Sequence, residues 1–128
     1  EEKASIKLSE LALGIGPFVV GPAVERKGGT SAFSALSIDA TNWSNAEWAL
    51  EKGLFNKTFD STYDLDQAIR DLAGELAKSS PEAMKNLKGV LWKGTENWDL
   101  LLEQRAEVSG RLVLSDFTKN FLRKFKEK

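Results

Sequence analysis

From Asp64 to its end the chain keeps one habit: apolar residues return every three or four positions, and cap and stop residues punctuate the runs. That pattern commits half of the chain to amphipathic helix, and an amphipathic helix must lay its apolar stripe against something. Leu65, Ala68, Ile69, Leu72 and Leu76 share one face up to the break at Ser79-Ser80-Pro81. A second helix is predicted from Pro81, in its first turn, to about Trp92, with Gly94 as its stop. A third spans about Glu96 to Leu114 with Trp98, Leu101, Leu102, Val108 and Leu112 inward, and Ser115 caps a last one in which Phe117, Phe121 and Phe125 recur every fourth residue.

The first sixty residues read differently. Ser5 to Leu11 alternates, with Ile6 and Leu8 on one side and Ser5, Lys7 and Ser9 on the other, which predicts a half-buried strand. In that register Glu10 falls on the apolar face. The run Leu11 to Val24 is broken at Gly14, Gly16, Pro17, Gly21 and Pro22 and is shorter than the roughly 20 residues a membrane span needs. From Pro17 a short helix is expected to end at Gly28-Gly29, Thr30 to cap a second over "SAFSALSI", and Ser44 to cap a third over "NAEWALEK". Glu47 would complete that capping box, Gly53 would stop the helix, and "LFNKTF" would form a short strand. The chain thus divides near residue 60 into a strand-bearing part, 1–60, and a helical part, 61–128.

Composition narrows the chemistry. Eighteen Lys and Arg against nineteen Asp and Glu give a net charge of −1, so no global basic field draws in nucleic acid. Cysteine and histidine are both absent, which excludes disulfides, thiolate chemistry, imidazole-ligated zinc and any His-dependent triad within the chain. The lack of cysteine fits a reducing, cytoplasmic setting. Carboxylates, lysines, hydroxyls and backbone amides are the tools left. No basic-then-apolar leader opens the chain, and an alternating pattern already running by Ser5 without an initiator Met leads to the expectation of a fragment or processed piece that starts mid-fold.

Three segments in order carry a resemblance: "EKASIKLSELALGIGPFVVGPAVERKGG", "ATNWSNAEWALEKGLFNKTF" and "DLDQAIRDLAGELAKSSPEAMKNLK". Together they resemble the second half of the crotonase superfamily of enoyl-CoA hydratases and isomerases. The resemblance implies an α/β protein: the end of the ββα spiral core over 1–60, then an all-helical oligomerisation region over 61–128. It implies an acyl-CoA substrate, assembly as a homotrimer or dimer of trimers, and an N-terminal polypeptide that supplies the oxyanion hole and the first glutamate. No metal is expected, and no cofactor apart from the coenzyme A of the substrate. Neither nucleic acid nor membrane is an expected partner.

Carried over by position, Glu10 matches one of the two glutamates that move the proton at the alpha carbon of the thioester. A carboxyl taken out of water on an apolar face suits such work, whereas a lone glutamate without that match is ordinarily solvated or ion-paired. Gly14 and Pro17 match the turn glycine and proline beneath the active site. Phe18 stands where many members have a glycine whose amide binds the catalytic water; its side chain would narrow the acyl pocket or pack into the core. Phe121 and Lys124 match residues that meet the adenine and phosphate of a neighbour's coenzyme A, while spacing alone favours a core or interface place for Phe121 and solvent for Lys124. Four tryptophans, at 43, 48, 92 and 98, could suggest ligand stacking, but Trp48 and Trp98 lie on apolar helix faces and are expected in a core or subunit interface. The wording is nearest to hydratases of the methylglutaconyl-CoA type. Double-bond isomerisation through Glu10 alone, or a non-catalytic helical oligomerisation module, are the alternatives.

Overall fold

The computed structural model describes residues 4–126. Strand β1 (Ser5–Ile6) pairs antiparallel with β2 (Ser44–Asn45), with Ser5 opposite Asn45 and Ile6 opposite Ser44. The strand expected over Ser5 to Leu11 is therefore only two residues long. A strand persists where a neighbour supplies its ladder, and among the described residues nothing pairs with the chain beyond Ile6. Leu8 is buried all the same, and the Lys7 ammonium sits 4.5 Å over the Trp43 ring. The chain then coils into a 3-10 turn, Leu11–Leu13, so Glu10 lies at the head of a turn and not on a strand face.

Helix α1 (Gly21–Ile38) begins with Pro22 in its first turn and is broken at Gly29, where φ is 78 and ψ 168. The expected stop at Gly28-Gly29 is thus real. The expected start at Pro17 is displaced to Gly21, whose N–H donates to the Pro17 carbonyl at 2.9 Å. Thr30 does not cap: its hydroxyl donates instead to the Glu25 carboxylate at 2.7 Å, a charge-assisted bond that a backbone amide would not match. Leu8, Ala32, Leu36, Ala40 and Ala49 are buried apolar residues among those described.

In α2 (Ala46–Glu51) the cap is Asn45, whose side chain accepts from the Trp48 N–H at 2.9 Å; Ser44 is drawn into β2 instead. Gly53 ends this helix with φ 73. "LFNKTF" forms no strand, because Leu54 and Phe55 donate their N–H groups back to Ala49 O at 2.8 and 3.0 Å and wrap the chain around the end of α2.

The helices after residue 60 follow the sequence pattern: α3 (Thr62–Ala77), α4 (Pro81–Leu91), α5 (Trp98–Val113) and α6 (Asp116–Lys126). Ser61 accepts from the Asp64 N–H at 3.1 Å and Ser80 from the Ala83 N–H at 3.3 Å, while Ser115 accepts from the Thr118 N–H at 3.3 Å. Every residue from 69 to 94 is exposed. Arg26 of α1 donates to the Leu91 carbonyl and, at 3.0 Å, to the Lys93 carbonyl, holding the end of α4. Trp92 and Trp98 meet edge to face at 6.0 Å across the next turn. Helices α5 and α6 fold back onto the first part of the chain.

Candidate active site around Glu10

Glu10 sits at the head of the 3-10 turn with helical backbone, φ −62 and ψ −39. Its carbonyl accepts from the Leu13 N–H at 3.1 Å and the Ile15 N–H at 3.0 Å, so the turn closes around it. The side chain is half-buried, and its Oε2 is buried with no hydrogen-bond partner among the described residues. A buried polar oxygen left unpaired is uncommon and calls for a partner such as a water, an ion or a ligand.

Gly14 closes the turn with φ 81, its N–H donating to Leu11 O at 3.0 Å. A Cβ there would lie 2.3 Å from Phe117 Cδ1 and 2.9 Å from Thr118 Oγ1, so α6 rests directly on the turn. Pro17 is buried just beyond it. Phe18 folds its ring back over Gly16, where a Cβ would come within 2.4 Å of Phe18 Cζ. The Phe18 N–H donates to the Gly16 carbonyl at 2.7 Å, and the Phe18 carbonyl accepts from Arg105 Nη1 of α5 at 3.2 Å. The amide expected to hold a water is thus occupied within its own turn.

Phe121 is half-buried and Lys124 exposed, three residues apart and so on one face of α6. Their neighbours Phe117 and Phe125 are exposed, so the phenylalanine stripe is not a single buried seam. Trp48 and Trp98 are half-buried as expected, whereas Trp43 and Trp92 are exposed. A separate open pocket of about 390 Å³ lies between α2 and the start of α3, lined by Ala46, Phe55, Phe59 and Leu65 with Lys57 and Thr58. No carboxylate and none of Glu10, Phe18, Phe121 or Lys124 lines it. Among the described residues no group of three or more potential ligands could hold a metal ion, and no helix is long and apolar enough to cross a membrane.

No family model matches the chain, and no curated protein matches it. Solved structures do. A protein from Pseudoalteromonas atlantica described as an enoyl-CoA hydratase/isomerase superposes with a TM-score of 0.85 at 17% identity, over 98% of this chain and 51% of that one. A candidate enoyl-CoA hydratase/isomerase from Acinetobacter baumannii gives 0.79 at 21% identity, over 94% of this chain and 50% of that one.

The fold is that of the C-terminal half of a crotonase. The chain spans about half the length of these two solved structures. Within this crotonase-type half, two residues that the sequence did not single out hold the Glu10 turn from the helical region: Arg105 through the Phe18 carbonyl and Thr118 through the Leu13 carbonyl, the latter at 2.9 Å. Their spacing carried no signal, since each reads as an ordinary helix residue and its partner lies 87 or 105 positions away.

Proposed function

We propose that this chain is the second half of an enzyme that moves a proton at the alpha carbon of an enoyl-CoA thioester, with Glu10 as the general acid/base. The observation that supports it is the buried Glu10 Oε2, which has no hydrogen-bond partner among the described residues, at a position where the sequence resembles a catalytic glutamate of that superfamily. The upstream polypeptide would supply the oxyanion hole. As substrate contacts, Gly14 and Pro17 shape the turn, and Phe121 and Lys124 on α6 offer an aromatic face and a cation suited to adenine and phosphate.

In hydration, the glutamate of the upstream polypeptide would take a proton from water as the water oxygen bonds to the beta carbon, the electron pair of the double bond would move into the thioester enolate, and Glu10 would deliver its proton to the alpha carbon, the proton taken from water replacing it. In isomerisation, the Glu10 carboxylate takes a proton from one carbon of the acyl chain and returns it two carbons away, with no water consumed. Hydration of the methylglutaconyl-CoA type fits the sequence wording. A specific contact favours isomerisation as the second reading: the Phe18 N–H is bonded to Gly16 O at 2.7 Å and is not free to hold a nucleophilic water.

Glu10→Gln in the assembled enzyme keeps the shape of the side chain and removes its proton. Turnover of an enoyl-CoA should fall by roughly 10²- to 10⁴-fold with assembly unchanged. Turnover that survives the substitution would refute the role of Glu10 and leave a non-catalytic oligomerisation module as the better account. Solvent exchange separates the two reactions, since only hydration incorporates labelled oxygen from water into product.

A further inference from the structure

Among the described residues nothing is hydrogen-bonded to Glu10 Oε2, which leaves the backbone of the turn as the element through which hydrogen bonds can set the direction of the carboxyl. That backbone is tied to Leu13, whose N–H donates to the Glu10 carbonyl at 3.1 Å. Leu13 is in turn reached from the far end of the chain: Thr118 Oγ1 of α6 lies 2.9 Å from the Leu13 carbonyl. Thr118 is 1% exposed. A hydroxyl that deeply buried has to be hydrogen-bonded, and water cannot substitute for a lost partner there. The hydroxyl accepts from the Ser115 hydroxyl at 3.3 Å, and its one proton has two acceptors in reach, the local Leu112 carbonyl at 3.1 Å and the Leu13 carbonyl at 2.9 Å. The nearer acceptor is the one 105 positions away, so a proton that a local carbonyl could take ties α6 to the turn.

We propose that Thr118 is a positioning residue for Glu10, setting the direction of the carboxyl by anchoring the Leu13 carbonyl of the 3-10 turn. The catalytic meaning of this anchoring rests on the acid/base reading of Glu10; the anchoring itself does not. Thr118→Val keeps the shape and removes the donor, whereas Thr118→Ser keeps the donor and removes a methyl group.

The test is nuclear magnetic resonance of the isotope-labelled full chain in both variants, reading amide exchange at Leu13 and Ile15 and the carboxyl carbon of Glu10. Thr118→Val should speed exchange at both amides by roughly five- to tenfold and move the Glu10 carboxyl resonance, while amides in the middle of α6 keep their rates. Thr118→Ser should restore both signals. Wild-type rates and an unmoved Glu10 resonance in Thr118→Val would overturn the proposal. So would exchange that rises equally along α5 and α6, because the hydroxyl would then serve only to dock the helix. Should valine not fold, Thr118→Ala also removes the donor, and the same changes in rate and resonance are expected of it. Failure of the acid/base reading shows elsewhere, as an active Glu10→Gln enzyme, and leaves these rates untouched.

Discussion

Gly14 and Gly29 both take positive φ, 81 and 78, but only Gly14 does so beneath another element. An alanine at Gly14 would meet Phe117 at 2.3 Å as well as the backbone strain, so Gly14→Ala should destabilise by about 2–5 kcal/mol and loosen α6. Nothing lies within 4 Å of a Cβ at Gly29, so Gly29→Ala should lose only the strain, about 1–3 kcal/mol. Denaturant unfolding of the two variants checks the ranking, and equal losses would contradict the close approach of Phe117. Glu10 was legible as a candidate only through the resemblance, since a lone glutamate before an apolar run ordinarily reads as solvated. Its place at the head of a turn was not, since alternation through Leu8 continues the strand pattern whether or not a neighbouring strand exists. Thr118 and Arg105 were invisible because their contacts are set by tertiary docking.

The helices after residue 60 were readable because period and caps agree: Ser61, Ser80 and Ser115 each accept from an N–H three residues on. Ser61→Ala should lower stability by about 1 kcal/mol and fray the first turn of α3, where exposed surroundings offer little tertiary support; circular dichroism and amide exchange check it. Strands were read poorly because the ladder that defines them is non-local. At the α4–α5 connection, the Gly94 N–H donates to the Glu96 carboxylate at 3.0 Å. That bond, with the Glu96 backbone amide and the Arg26 charge, holds the carboxyl below the ordinary glutamate range. A depressed carboxyl contributes order that is fully present above its unfolded value, about 4.3, and lost as pH falls through the lowered folded value. Exchange at Gly94, corrected for intrinsic rate, should rise only in that acid window, and Glu96→Gln should abolish the pH dependence.

At the scale of the molecule the surface is too large. A folded monomer of 14.2 kDa exposes about 6,800 Å², whereas this chain exposes 9858 Å². The excess of roughly 3,000 Å² exceeds what one side of an ordinary protein interface buries. It is apolar where it matters: Ile69, Leu72 and Leu76 of α3 and Leu87, Val90 and Leu91 of α4 all lie open, Val90 at 70%. The helical period alone required a cover for these stripes, and only the resemblance suggested one, other subunits of the same kind. Leu72→Lys on α3 should therefore lower the oligomer mass while leaving the Glu10 turn and its exchange rates intact, as size-exclusion chromatography with light scattering would report.

Native mass spectrometry of the purified protein, with and without an acyl-CoA, tests the central claim most directly. A complex that contains a second polypeptide and retains the acyl-CoA is the predicted result, because the crotonase-type half then completes a site around Glu10. Assemblies of the 14.2 kDa chain alone that retain no ligand would contradict it.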